Sequence, residues 1–251
     1  MIFLKIIFSF LLFPFILAQN GHEIASNIYT KKNPDDLTNI MNMKLVNSKN
    51  KIRNYAMKSK SIDQNRKQII WFLEPNSDRG ISFLKIEYKN KVDEMKMWLP
   101  AFKKVRRINA KKKGDSFMGS DLSYEDLSSR DIKDYNFNRI EDQELNGKSY
   151  YTLEIFPKNE LKSFYKKHIS VIDKTSFNIV KEFSYDLKGD LLKKKEYSYK
   201  RINTFDILNE IKVYNVQMDH LTEIKFTDIE VNKDISENLF TEKNLKRIPG
   251  D

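Results

Sequence analysis

The chain has no cysteine, and only seven glycines, six prolines and three histidines among 251 residues. Without cysteine there is no disulfide framework, no thiolate nucleophile and no thiolate-held zinc, so stability must come from a packed core. His22, His168 and His220 are scattered and share no spacing suited to a metal site. GxSxG, HExxH, P-loop and GxGxxG motifs are all missing. The carboxylate pairs Glu125/Asp126 and Glu141/Asp142 are commonplace in a chain so rich in both signs, and they read as solvated. The sequence therefore predicts no catalytic residue, no metal and no cofactor. No linker rich in proline, glycine or serine divides it, and no repeat of solenoid period is visible.

Long apolar runs are missing too, with one exception. Lys5 precedes an apolar stretch, Ile6 to Leu17, broken only by Ser9 and Pro14, and Ala18 offers a small residue before polar Gln19. The run falls short of the roughly 20 apolar residues of a bilayer span. It reads as an export signal over residues 1–18, with a single domain over residues 19–251; an uncleaved anchor is the alternative. No cysteine follows the signal, so no lipid-modified terminus is expected and the product is a released, soluble protein.

Lysine and arginine outnumber aspartate and glutamate by 45 to 35. Such a balance invites a nucleic-acid reading, but export removes that ligand. Anionic lipid head groups are the better partner, at about 1 kcal/mol per well-placed cation. Most of these lysines read as simply solvating.

What is present is strand periodicity. Met41, Met43 and Leu45 alternate with polar residues, Asn47–Asn50 is a turn, and Ile52 to Lys58 returns as a second arm. Ile69 to Leu73 is continuously apolar, as in a strand covered on both faces. Further strands are read at 81–88, 92–99, 148–156, 168–173, 179–187, 191–202, 211–218 and 221–231, with Lys188-Gly189-Asp190 turning one hairpin. Helix is expected only at 24–29, 121–127, 159–166 and 241–245. The fold class is thus mainly β with a few helices, an antiparallel meander of about ten strands that must curl, close or be covered. Its interior is expected to hold Met41, Met43, Phe72, Phe83, Met95, Met97, Leu99, Tyr151, Phe183 and Tyr185. Composition leaves open whether that interior is filled or hollow.

The stretch from Met97 to Leu127 is the most distinctive. Pro100 ends a strand, and a basic ribbon follows in which Arg106 and Arg107 alternate faces. Phe117-Met118-Gly119-Ser120-Asp121 then sets two large apolar residues beside a glycine, a poor solvent loop that reads as a plug. Ser120 is a candidate N-cap for an acidic helix from Asp121 to Leu127.

This block resembles the signature of the outer-membrane lipoprotein-sorting family, the LolA/LolB-like proteins, in the branch often encoded beside large lipid-exporting or efflux transporters. Trp71-Phe72-Leu73-Glu74-Pro75, Arg79-Gly80-Ile81, Tyr185-Asp186 and Leu239-Phe240-Thr241 extend the similarity over most of the mature chain. The resemblance implies an antiparallel curled half-barrel with short helices over its mouth, working in the periplasm as a monomer. It implies a carrier, not an enzyme, binding a lipid or lipoprotein acyl chain between membrane partners, with an inner-membrane transporter among them. Phe72, Phe83, Met95, Met97 and Leu99 would line the cavity, Phe117 to Asp121 would form the lid, and Arg106 and Arg107 would meet a lipid head group. The alternative is an accessory subunit that docks on such a transporter and carries nothing.

Overall fold

The computed structural model describes residues 19–89 and 91–247, so the expected signal at 1–18 lies outside the described residues. Six strands run outward in chain order: β1 (Asp36–Val46), β2 (Ile52–Ile62), β3 (Lys67–Glu74), β4 (Ser82–Ile86), β5 (Glu94–Leu99) and β6 (Lys104–Ile108). A long connection, residues 109–134, then crosses to the far edge. From there β7 (Tyr135–Leu145), β8 (Lys148–Pro157), β9 (Lys167–Asp173), β10 (Ile179–Tyr185), β11 (Leu191–Ile202), β12 (Phe205–Asn215) and β13 (His220–Val231) return inward. β13 pairs antiparallel with β1, which completes one 13-stranded sheet with β6 and β7 as its edges. The expectation of about ten strands was low. The mainly β, antiparallel, curled class stands, and the sheet is not closed.

Cross-strand partners share a face, because side chains alternate along each strand. One inward row runs Met97, Phe83, Ile70, Ser59, Asn39 across β5 to β1. A second runs Leu45, Thr222, Val213, Lys195, Glu182, Ser170, Leu153 across β1, β13 and β12 to β8. The concave face is therefore apolar over the first strands and charged over β9 to β11. Phe183 and Tyr185, expected inside, point to the convex face, and Glu182 and Ser184 face inward in their place.

Two helices cover what the sheet leaves exposed. α1 (Gly21–Tyr29) starts with a capping box, Asn20 and Glu23 each accepting the other's backbone N–H. It buries Ile24 and Ala25 against Leu153, Ile155 and Ile172. α2 (Glu242–Leu245) packs on the convex side, where Phe240 and Leu245 join Ile69, Trp71 and Leu84. Trp71 Nε1 donates to the Asn244 carbonyl at 3.3 Å, and Ser82 Oγ donates to that of Leu245 at 2.6 Å. β3 is thus covered on both faces, as its apolar run requires. Among the described residues no helix is long and apolar enough to cross a membrane.

The helices expected at 121–127 and 159–166 do not form. The first is a string of turns, and the second has only a 3-10 turn at Asn159–Leu161. In both, side chains that bond sheet strands or loop backbone hold the chain out of helical geometry.

Candidate functional site

The crossing connection lies in the concave face, and its central part is a small hairpin. Ser116 and Ser123 form a β-bridge, and Ser120 N donates to the Phe117 carbonyl at 2.9 Å. Met118 and Gly119 take φ of +53° and +79°, the sign that tight hairpin turns need at both central positions. Ser120 is no helix cap: its hydroxyl donates to the Phe117 carbonyl at 2.7 Å. Asp121 turns onto β13, where its carboxylate accepts from Thr222 Oγ1 and faces His220 Nδ1, each at 2.7 Å.

Phe117 anchors this hairpin in the apolar half of the face. Its ring lies 5.4 Å from Phe83, 5.9 Å from Tyr124 and 6.1 Å from Phe72, centroid to centroid. Met41, Met43, Tyr55, Met57, Met95 and Met97 belong to the same cluster, and Leu99 and Met118 pack on its edge. Phe72, Phe83, Met95, Met97 and Leu99 therefore pack against the crossing segment and do not line the open cavity. Arg106 and Arg107 are exposed on edge strand β6, also away from the cavity.

In the charged half the same connection is fastened by buried ions. Asp126 lies 2.5 Å from Lys195 Nζ and 2.8 Å from Lys193 Nζ, and it accepts from the Tyr165 hydroxyl at 2.7 Å. Arg130 donates two bonds to Glu182, at 2.5 and 2.9 Å. Lys195 also reaches Glu182, at 3.2 Å. Across the face, Lys85, fully buried on β4, donates to the Leu127 carbonyl at 2.8 Å and pairs with Glu87 at 3.1 Å.

Burial opposes ionisation of Asp126, but Lys195 and Lys193 outweigh it and hold the carboxyl well below its usual range. Glu182 is likewise depressed, burial being overcome by Arg130 and Lys195. His168 is kept neutral, chiefly by burial and secondarily by Arg130. Both carboxylates are engaged by cations, which suits a clamp better than proton transfer.

A cavity of about 510 Å³ lies between this clamp and the start of β1. Leu122, Leu127, Met41, Ile211, Ile224 and Phe226 supply apolar wall, and Arg130, Glu182 and Lys195 form one polar side. It reaches the surface by Asn33–Asp35 and the β2–β3 turn at Gln64 and Asn65. Two buried atoms of lining residues, the Tyr29 hydroxyl and Asn39 Oδ1, have no hydrogen-bond partner among the described residues. The sequence hides this site: Asp126, expected to be solvated beside Glu125, is buried in the crossing connection, and Lys193 and Lys195 lie in a lysine-rich strand that resembles solvated surface.

No curated protein matches the sequence. A family model described as "-like: Uncharacterized protein" matches residues 64–247. Among solved structures, a domain assigned to outer-membrane lipoprotein sorting from Vibrio parahaemolyticus is 31% identical, with a TM-score of 0.84 over 90% of this chain and 98% of its own. A DUF1329 family protein from Desulfovibrio piger is 24% identical, with a TM-score of 0.85 over 90% and 97%. A LolA superfamily protein from Nitrosomonas europaea is 16% identical, with a TM-score of 0.73 over 90% and 99%. The last two share the fold alone.

Proposed function

Because the chain belongs to the outer-membrane lipoprotein-sorting family, we propose that it is a non-enzymatic periplasmic carrier. In this reading one acyl chain of a lipid or lipoprotein enters the cavity beneath the crossing segment and is passed between membrane partners. The observation that carries it is the cavity of about 510 Å³, walled by Leu122, Leu127, Ile211, Ile224 and Phe226. That volume suits a small-molecule site, for which 300–1,000 Å³ is usual as a rough guide. Each buried CH₂ contributes about 0.8 kcal/mol, so a long chain gains on the order of 10 kcal/mol from such a wall.

Lys195 and Arg130 border the same space. Both are engaged by the carboxylates Asp126 and Glu182, and Asp35, Asp36, Glu125 and Asp206 also line the space. Acids thus outnumber the cations of the wall, which favours an acyl chain with an uncharged head. Residues 117–130 form the movable wall of this reading, with Phe117 and Met118 as its apolar anchor.

Titration with a fluorescent fatty-acyl probe tests the assignment. Ile211→Trp fills the cavity from β12 and should weaken probe binding by about tenfold or more, equivalent to roughly 1.4 kcal/mol. Unchanged affinity in that variant would place the probe elsewhere and sink the proposal.

A further inference from the structure

The two ends of the sheet differ in character. The cavity opens beside the starts of β1 and β3. The opposite end is a rim made by the β1–β2, β3–β4, β5–β6, β8–β9, β10–β11 and β12–β13 turns. Among the described residues nine large apolar side chains are exposed, and six of them sit on this rim. Ile52 is 53% exposed, Phe102 70%, Leu187 64% and Met218 68%, with Leu161 and Phe164 at 37% and 36%.

The turns are joined side by side. Gln217 Nε2 donates to Asp186 Oδ2 at 2.9 Å, which ties the turn bearing Met218 to the turn bearing Leu187. Val46 pairs with Leu221, setting the β1–β2 turn beside them, and Arg53 reaches Asp78 on the β3–β4 turn at 3.0 Å. Lys49, Lys51, Lys103, Lys104, Lys158 and Lys162 are exposed along the same edge. Several rim acids already have donors. Asp78 is paired with Arg53, Asp186 accepts three backbone N–H groups of its own turn, and Asp219 accepts from the Tyr214 hydroxyl.

We propose that this rim docks the protein onto an anionic lipid bilayer, with its lysines on the head-group phosphates and Phe102, Leu187 and Met218 entering the interface. Lysine is depleted at protein–protein interfaces, whose apolar residues gather into one core. Here the apolar tips are spread over five turns, only Leu161 and Phe164 sharing one, and lysines stand between them, the arrangement that suits a surface of mobile anionic head groups. A chain docked this way holds its cavity mouth away from the bilayer, free for an aqueous partner. The docking does not depend on what the cavity carries.

Co-sedimentation with vesicles tests this. The full chain should pellet with equal parts phosphatidylglycerol and phosphatidylcholine and stay in solution with phosphatidylcholine alone. Leu187→Ser with Met218→Ser, and separately Lys103→Glu with Lys104→Glu, should each cut binding by about tenfold. All four side chains are exposed on the rim, so circular dichroism should be unchanged, and either pair alone suffices if the other disturbs folding. Val92→Ser, 84% exposed at the opposite end, and the cavity-filling Ile211→Trp should bind vesicles like wild type. Failure to pellet with anionic vesicles, equal pelleting with both vesicle types, or an equal loss in Val92→Ser overturns the proposal. So does a rim that captures a protein and no vesicle.

Discussion

Asp126 and Lys195 form a buried ion pair, Oδ1 to Nζ at 2.5 Å, joining the segment that crosses the concave face to strand β11 of the sheet. The pair is 2% and 3% exposed at its two side chains, so neither charge has water to fall back on. It fastens this segment to the charged half of the face, while Phe117 fastens it to the apolar half.

Asp126→Asn should therefore destabilise the protein by about 3–5 kcal/mol, because it leaves Lys193 and Lys195 buried without a full counter-charge. Asp126→Leu combined with Lys193→Met and Lys195→Met should be milder than Asp126→Asn, since no buried lysine is then orphaned and Glu182 keeps Arg130. Urea unfolding of the variants measures both, and a triple variant no more stable than Asp126→Asn would contradict this account of the clamp.

Acid should loosen the clamp in two stages. His168 is depressed below its ordinary 6.5, so the folded state binds fewer protons than the unfolded chain below that pH. Its contribution to stability is complete above 6.5 and falls beneath it. Asp126 and Glu182 are depressed from 3.8 and 4.5, so their contribution is present above those values and is lost as pH falls through the folded ones. Melting temperature should decline gently below about pH 6.5 and more steeply below about pH 4.5. A flat profile across that range would contradict the electrostatic account.

Phe117→Ala should cost about 3–5 kcal/mol, comparable to Phe83→Ala, because both rings occupy one closed cluster. Met118→Ala, at the edge of that cluster, should cost less. Chemical denaturation distinguishes the anchor described here from a loose cover, for which Phe117→Ala would leave stability untouched.

An uncharged head should be accepted at least as well as an anionic one. A long-chain alcohol should displace the fluorescent acyl probe no less effectively than the carboxylate of equal length, since Lys195 and Arg130 are already paired with Asp126 and Glu182 and four further acids line the space. Several-fold better displacement by the carboxylate would bring Lys195 and Arg130 into ligand recognition and contradict this account of the wall.

The sequence made some of this legible and hid the rest for definite reasons. Ile69 to Leu73 announced a strand covered on both faces, and α2 and the Gly189 turn fell where they were read. Strand β7 was missed because an edge strand needs little apolar content, and beyond Tyr135 and Phe137 it is largely polar. Phe117 and Met118 stood out as a plug, yet the hairpin was read as a helix start, since Ser120 before acidic residues mimics an N-cap. The clamp was hidden most deeply. Alternation in LLKKKEYSYK says that Lys193 and Lys195 share a face, but only Asp126 and Arg130, distant in sequence, make that face the inside.

Native mass spectrometry of the protein purified without detergent decides whether the cavity beneath residues 117–130 holds an acyl chain. One acyl lipid should be bound per chain in the wild type, and that adduct should be lost in Ile211→Trp at unchanged melting temperature. A wild-type protein that carries no lipid and takes none up from added acyl amphiphiles would rule the carrier out.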